Sequence, residues 1–179
     1  LSSAPALLPE AGAGELAHAE RLKIALGLKR GTIPVVVATP KAANDPLPDP
    51  DLLEASRVHL AVGSSVNPEA LAGRLVASRF ERVHAVERPG EFAVRGGIID
   101  LFPLTADHPA RIDLFGDRIE SIRMFRVSDQ QSIAEARELD LDLAPPPSGR
   151  GAKVTDFLPR DGVIVLRDPE PGWIQGDRV

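Results

Sequence analysis

Residues 80–102 constrain the fold more than any other stretch. They read Phe-Glu-Arg-Val-His-Ala-Val-Glu-Arg-Pro-Gly-Glu-Phe-Ala-Val-Arg-Gly-Gly-Ile-Ile-Asp-Leu-Phe. Three short strands in succession are expected: Arg82–Val86, Glu91–Arg95 and Ile98–Phe102, with a turn at Pro89-Gly90 and a bulge or sharp bend at Gly96-Gly97. Successive side chains of a strand point to opposite faces, so Phe92 and Val94 share one face and Ala93 and Arg95 the other. If Phe92 enters a core, Arg95 faces outward. A guanidinium held on a strand beside two glycines can meet carboxylates or carbonyls of a partner in fixed geometry.

The rest of the chain supplies context for that stretch. With 179 residues it can hold one substantial core or parts of two. Aromatic content is 4%, with no Tyr and one Trp (Trp173, read as a packing anchor), which argues against a stacking surface for single-stranded nucleic acid. No Cys is present, so disulfides and thiolate metal sites are excluded. The four His are too dispersed for a local metal-ligand pair. No apolar run reaches the roughly 20 residues of a membrane span, and the first residues lack a basic leader. A cytoplasmic protein is the expectation. Residues 79–126 carry eight Arg and eight acidic side chains, so no basic stripe of the kind that neutralises phosphates runs through the centre.

In chain order, residues 1–13 read as irregular. Glu15–Leu28 fits a helix with Leu16, Ala19, Leu22 and Leu26 on one face, stopped near Gly31. Ile33–Ala38 is a continuous apolar run of the kind buried on both faces of a parallel sheet. Thr39-Pro40 opens a short helix, and 47–51 is a connector. Arg57–Val62 reads as a strand, and Asn67-Pro68 caps a helix to about Ser78 built on Leu71, Leu75 and Val76. Arg111–Phe115 and Arg118–Phe125 are strands joined by Gly116-Asp117, which suits a type II′ turn. Ser128-Asp-Gln-Gln131 reads as a capping box for a short helix to about Arg137. Glu138–Leu143 alternates as a half-exposed strand, which places Asp140 and Asp142 on a solvated face rather than at a metal. Pro145–Gly149 is a stiff linker, Val154–Leu158 a helical turn, and Gly162–Leu166 a second buried-type strand.

The fold class expected is α/β with α+β character. A mostly antiparallel sheet domain with a covering helix (53–147) is inserted into a fragment of a P-loop-like parallel α/β domain (1–52 and 148–179). That flanking domain lacks a nucleotide motif: none of the four lysines follows a glycine, so no Gly-x-x-x-x-Gly-Lys-[Ser/Thr] occurs. No Gly-x-Ser-x-Gly elbow occurs either. Binding rather than catalysis is what the residues support.

Four segments carry a family resemblance: Phe80–Val83, Arg88–Pro103, His108–Arg123 and Asp129–Ser132. They resemble the UvrB-type interaction domain of the excision-repair protein UvrB and of the bacterial transcription-repair coupling factors. The form Gly-Gly-Ile-Ile-Asp-Leu-Phe-Pro and the segment Asp-Gln-Gln-Ser are the more similar to the coupling factors. The resemblance implies a domain that binds UvrA, the damage-recognition ATPase, through arginines on an exposed sheet. The motif carries these to Arg82 and Arg95, with Gly96 permitting close approach. Ala93 stands where the family often has a basic residue, and Arg88 is the neighbouring basic side chain. It further implies no cofactor in this chain. An ATP-driven motor and the contacts with RNA polymerase and DNA would belong to other domains, and the flanking domain's first strands would lie outside this chain. The alternative is a part of an ATP-dependent DNA translocase or an excinuclease-subunit-B-like enzyme that handles DNA.

Overall fold

Three of the helices open on the same local device, a short polar side chain followed by proline. Thr39, Asp49 and Asn67 each accept backbone N–H groups of the first turn, and Pro40, Pro50 and Pro68 occupy the first helical position. The cap satisfies a donor that the helix cannot, and the ring presets φ where no N–H is needed. In a computed structural model, which describes residues 5–12, 15–143 and 151–165, these caps start α2 (Pro40–Asn44), α3 (Pro50–Ser56) and α4 (Pro68–Ala77). The remaining helix is α1 (Glu15–Lys29), closed by Gly31 at φ +70°.

The strands are β1 (Ala6–Leu8), β2 (Val36–Ala38), β3 (Val58–Ala61), β4 (Glu81–Arg82), β5 (Glu91–Arg95), β6 (Ile98–Leu101), β7 (Ala110–Phe115), β8 (Arg118–Phe125), β9 (Ser132–Ala136) and β10 (Glu138–Leu141). A six-stranded sheet runs β4-β5-β6-β7-β8-β9, antiparallel from β5 to β9. Two-residue turns close two of its hairpins, β5–β6 and β7–β8. Arg95 pairs with Ile98 across Gly96-Gly97, and Phe115 with Arg118 across Gly116-Asp117. Only the first residue of each loop has positive φ, +58° at Gly96 and +64° at Gly116, as a type II′ turn requires.

One face of this sheet is apolar. Phe92, Ile99, Leu101, Ile112, Ile119 and Ile122 pack there beneath Leu71 and Leu75 of α4 and the antiparallel pair β3–β10. A second core joins Leu22 and Leu26 of α1 to Leu47, Leu53 and Phe157, so it draws on residues at both ends of the described chain. Leu47 and Ala152 exchange backbone hydrogen bonds of 2.7 and 2.8 Å, and Val154–Phe157 forms a 3₁₀ turn beside α1. The chain is thus an α+β fold dominated by the antiparallel sheet.

Several expectations are corrected. The segment after Phe80 forms a strand only at Glu81–Arg82, and it runs parallel to β5. Residues 84–85 bend away, which lets Val83 and Val86 fold over Ala93, Phe102 and Phe125. Ser128–Gln131 opens β9, not a helix. Asp129 accepts the N–H of Gln131 and Gln130 takes φ 59°, so the segment closes a hairpin onto β8. Residues 6–8 are a strand rather than irregular, and α3 begins at Pro50, inside the segment 47–51 that reads as a connector.

The apolar runs also behave differently. In the first, only Val36–Ala38 is strand. It has β1 as its neighbour, and Val35 and Val37 are half exposed. Residues 162–165 form no strand: Val163 is 80% and Val165 86% exposed, and among the described residues no strand edge pairs with them. Val62 and Val76 also lie exposed, and Ala72 takes the buried place on α4. On α1, Ala19, Leu22 and Leu26 are buried as expected, with Ile24, Ala25 and Leu28 besides; the Leu16 side chain lies outside the described residues, as do Pro145–Gly149, Leu166 and Trp173.

Candidate protein-interaction surface

The second face of the six-stranded sheet carries a charged row beside the small cluster of Val86, Ala93, Phe102 and Phe125, and the register explains that row. Ala93 lies opposite Asp100, Asp100 opposite Arg111, Arg111 opposite Arg123, and Arg123 opposite Glu135. The next row aligns Arg95, Ile98, Asp113 and Ser121. Strand alternation thus stacks acids and arginines side by side, where cross-strand pairs of opposite charge attract.

Asp100 is the centre of this face. Its side chain is fully buried. Arg111 donates Nε to Oδ1 at 2.7 Å and Nη2 to Oδ2 at 2.9 Å. Arg95 donates Nη2 to Oδ2 at 2.5 Å. Arg111 also lies over the Phe125 ring, 4.8 Å from its centroid, and its hydrogen bonds with Asp100 hold its pKa above the ordinary arginine value. A parallel set joins Arg123 to Asp113 at 2.6 Å, with Ser121 donating to the same carboxylate.

Arg95 faces away from Phe92, as strand alternation requires: Phe92 is fully buried while the Arg95 side chain is 54% exposed. Arg82 is exposed and, among the described residues, its side chain makes no hydrogen bond or ion pair. Arg82, Val83, His84, Val94 and Arg95 line one surface pocket of about 360 Å³ at the edge of the sheet, although the pairing of Arg82 with Phe92 sets the two arginines on opposite sides of it. Gly96 stands at the tip of the adjoining hairpin, and a side chain there would meet no atom within 4 Å. The approach to Arg95 is therefore open.

Arg88 is placed elsewhere. It folds onto Glu91 through Nε at 3.0 Å and Nη2 at 2.9 Å, and it lines a different pocket with His18 and Arg79. Glu91 is buried. Burial raises its pKa, but the N–H groups of Glu87 and Arg88 and the Arg88 guanidinium outweigh this and hold it below the ordinary value. Ala93 is buried beneath Val86. Ion pairs of Arg82 or Arg95 with Glu81, Glu87 or Glu91 are not formed; the acid that Arg95 meets is Asp100, which strand reading alone left unassigned. The one available signal was its place on the Ala93 side of a two-residue hairpin.

Asp142 corrects the solvated-face expectation. It is buried where α1 meets the end of β10. Arg30 donates to it at 3.0 and 2.6 Å, and Thr105 at 3.2 Å. Asp140 is exposed and pairs with Arg57 and His59 instead. Among the described residues no helix is long and apolar enough to cross a membrane, and no group of His, Cys, Asp or Glu is arranged to hold a metal.

The sheet, antiparallel from β5 to β9, thus has one face in a core and a second face that carries a charged, arginine-bearing row. Residues 58–144 match the family model of the UvrB interaction domain. The chain is 41% identical over 124 residues to the transcription-repair-coupling factor of Bacillus subtilis, covering 69% of this chain and 10% of the relative. It is 44% identical over 101 residues to that of Mycobacterium tuberculosis, covering 56% and 8%, and 35% identical over 123 residues to that of Myxococcus xanthus, covering 68% and 10%. The chain spans about a tenth of the length of the curated relatives it matches.

Proposed function

We propose that this chain is a non-catalytic recruitment module of transcription-coupled excision repair that binds UvrA through the edge of the six-stranded sheet, with Arg82 and Arg95 as its anchors. The observation that carries this reading is the single pocket that Arg82 and Arg95 share beside the open Gly96 turn. Arg82 is free to pair, and Arg95 is held by one carboxylate while still half exposed. Guanidinium groups in such settings supply a large share of the affinity at protein interfaces. Acidic groups and carbonyls on UvrA are the matching chemistry.

Arg88 is a lesser contributor, since Glu91 already engages it. The two cores support an interaction unit set within a flanking unit made from both ends of the chain. No nucleotide or other cofactor is assigned to this chain. ATP hydrolysis, RNA polymerase contact and DNA translocation fall to other parts of the longer protein.

A pull-down with purified UvrA tests the reading. Capture by the wild-type chain and loss with Arg82→Ala and Arg95→Ala is expected; full capture by both variants removes the site.

A further inference from the structure

We infer that Asp100 is a positioning residue for partner binding, acting through Arg95; this rests on the proposed role of Arg95 above. An arginine on a strand edge is normally free to sample many rotamers, and fixing it on contact opposes binding. Here that ordering is already present. Arg111 grips both oxygens of Asp100 from the neighbouring strand, and the ring of Phe125 backs Arg111. The carboxylate is thereby locked, with no exposure to solvent, and Oδ2 receives Arg95 in addition.

A hydrogen bond to a buried carboxylate is stronger than one in water because the surroundings screen it less. One edge of the Arg95 guanidinium is thus fixed against Asp100, and its other donors remain for a partner. The same carboxylate offsets the charge of two arginines brought close together, so neither repels the other from the surface. Asp100 touches no partner itself. Its chemistry is that of a buttress which turns a flexible cation into a fork of set orientation, and the ligand that fits such a fork is a carboxylate or a pair of carbonyls.

The test measures UvrA affinity for the full chain and four variants, with a thermal melt of each. Arg95→Ala is expected to weaken binding about tenfold or more. Asp100→Asn keeps the shape and removes the charge; it is expected to weaken binding comparably in the wild-type background, yet by less than about twofold when added to Arg95→Ala, since its effect passes through that side chain. A purely structural role would lower affinity equally in both backgrounds. Arg95→Lys keeps the charge but not the fork, and is expected to bind nearly as weakly as Arg95→Ala.

The Arg95→Lys arm decides the matter even if Asp100→Asn fails to fold. Wild-type affinity in Arg95→Lys, or in a folded Asp100→Asn, overturns the positioning role while leaving the recruitment reading intact. Wild-type affinity in Arg95→Ala overturns Arg95 as an anchor and the positioning role with it.

Discussion

Arg30 and Asp142 lie 112 residues apart in sequence and make two hydrogen bonds, of 3.0 and 2.6 Å. The first follows α1 and the second follows β10, so this pair joins the helix of one core to the last strand of the other. Thr105 adds a third hydrogen bond to the same carboxylate, and the Arg57 Nε stands 3.8 Å away.

Removing Arg30 strands a buried carboxylate. Breaking such a pair from one side costs more than the pair itself contributes, because the remaining charge stays desolvated. Arg30 is partly exposed and Thr105 remains, so Arg30→Ala is expected to lower unfolding free energy by about 2 kcal/mol. Urea denaturation followed by circular dichroism measures it; a loss within about 0.5 kcal/mol would place the pair among inert surface contacts.

Arg21 is the other long-range tie. It is almost wholly buried on α1 and donates to the carbonyls of Pro9, Ala42 and Asp45 at 2.6, 3.0 and 2.8 Å. Burial pulls its pKa below the ordinary arginine value, and the nearby Asp45 works against that. Arg21→Met fills similar space and leaves those acceptors unpaired, for an expected loss of about 3 kcal/mol. Arg21→Lys cannot span all of them and should lie between. A melting temperature for Arg21→Met equal to wild type would contradict the tie.

Glu91 predicts how stability responds to acid. Its folded pKa lies below the ordinary value of 4.5, so the unfolded chain binds the proton first. The stability it contributes is complete above about pH 4.5 and is lost as the pH falls below that, through its lower folded value. Glu91→Gln should therefore be less stable than wild type at pH 7 and should lose less on acidification. Equal slopes for the two proteins between pH 5 and pH 3 would remove Glu91 from the account.

The two turn glycines should separate by mechanism. A Cβ on Gly97 would sit 2.7 Å from the Leu114 carbonyl oxygen, on the strand that Gly97 itself pairs with. Gly96 has open space and a φ of +58°. Gly96→Ala meets only the left-handed backbone penalty, about 1 kcal/mol, whereas Gly97→Ala must displace β7 and should cost about 2–3 kcal/mol. Thermal melts of both rank them; the reverse order would show that the β5–β6–β7 ladder yields more readily than its register implies.

Local chemistry was legible in the chain itself. Asn67-Pro68 and Thr39-Pro40 announce caps, Gly116-Asp117 announces its hairpin, and alternation alone separates Phe92 from Arg95. What was illegible depends on partners distant in sequence. Ser132–Ala136 has no strong strand pattern of its own and becomes β9 because β8 offers an edge. Asp142 alternates like a solvated residue but is buried by Arg30. Val163–Val165 has strand composition and still lies open, since a strand needs a neighbour as well as a sequence. The same limit hid Asp100: its position on the polar face follows from alternation, but its two arginines arrive from different strands and only the register brings them together.

The most direct test of the recruitment account is a calorimetric titration of UvrA with the chain carrying Arg82→Ala and Arg95→Ala together, beside an Arg160→Ala control. Arg160 is exposed, lies outside residues 58–144 and does not line the shared pocket. The account predicts that the double variant weakens binding by about a hundredfold and that the control stays within about twofold of wild type. Wild-type affinity in the double variant would contradict it.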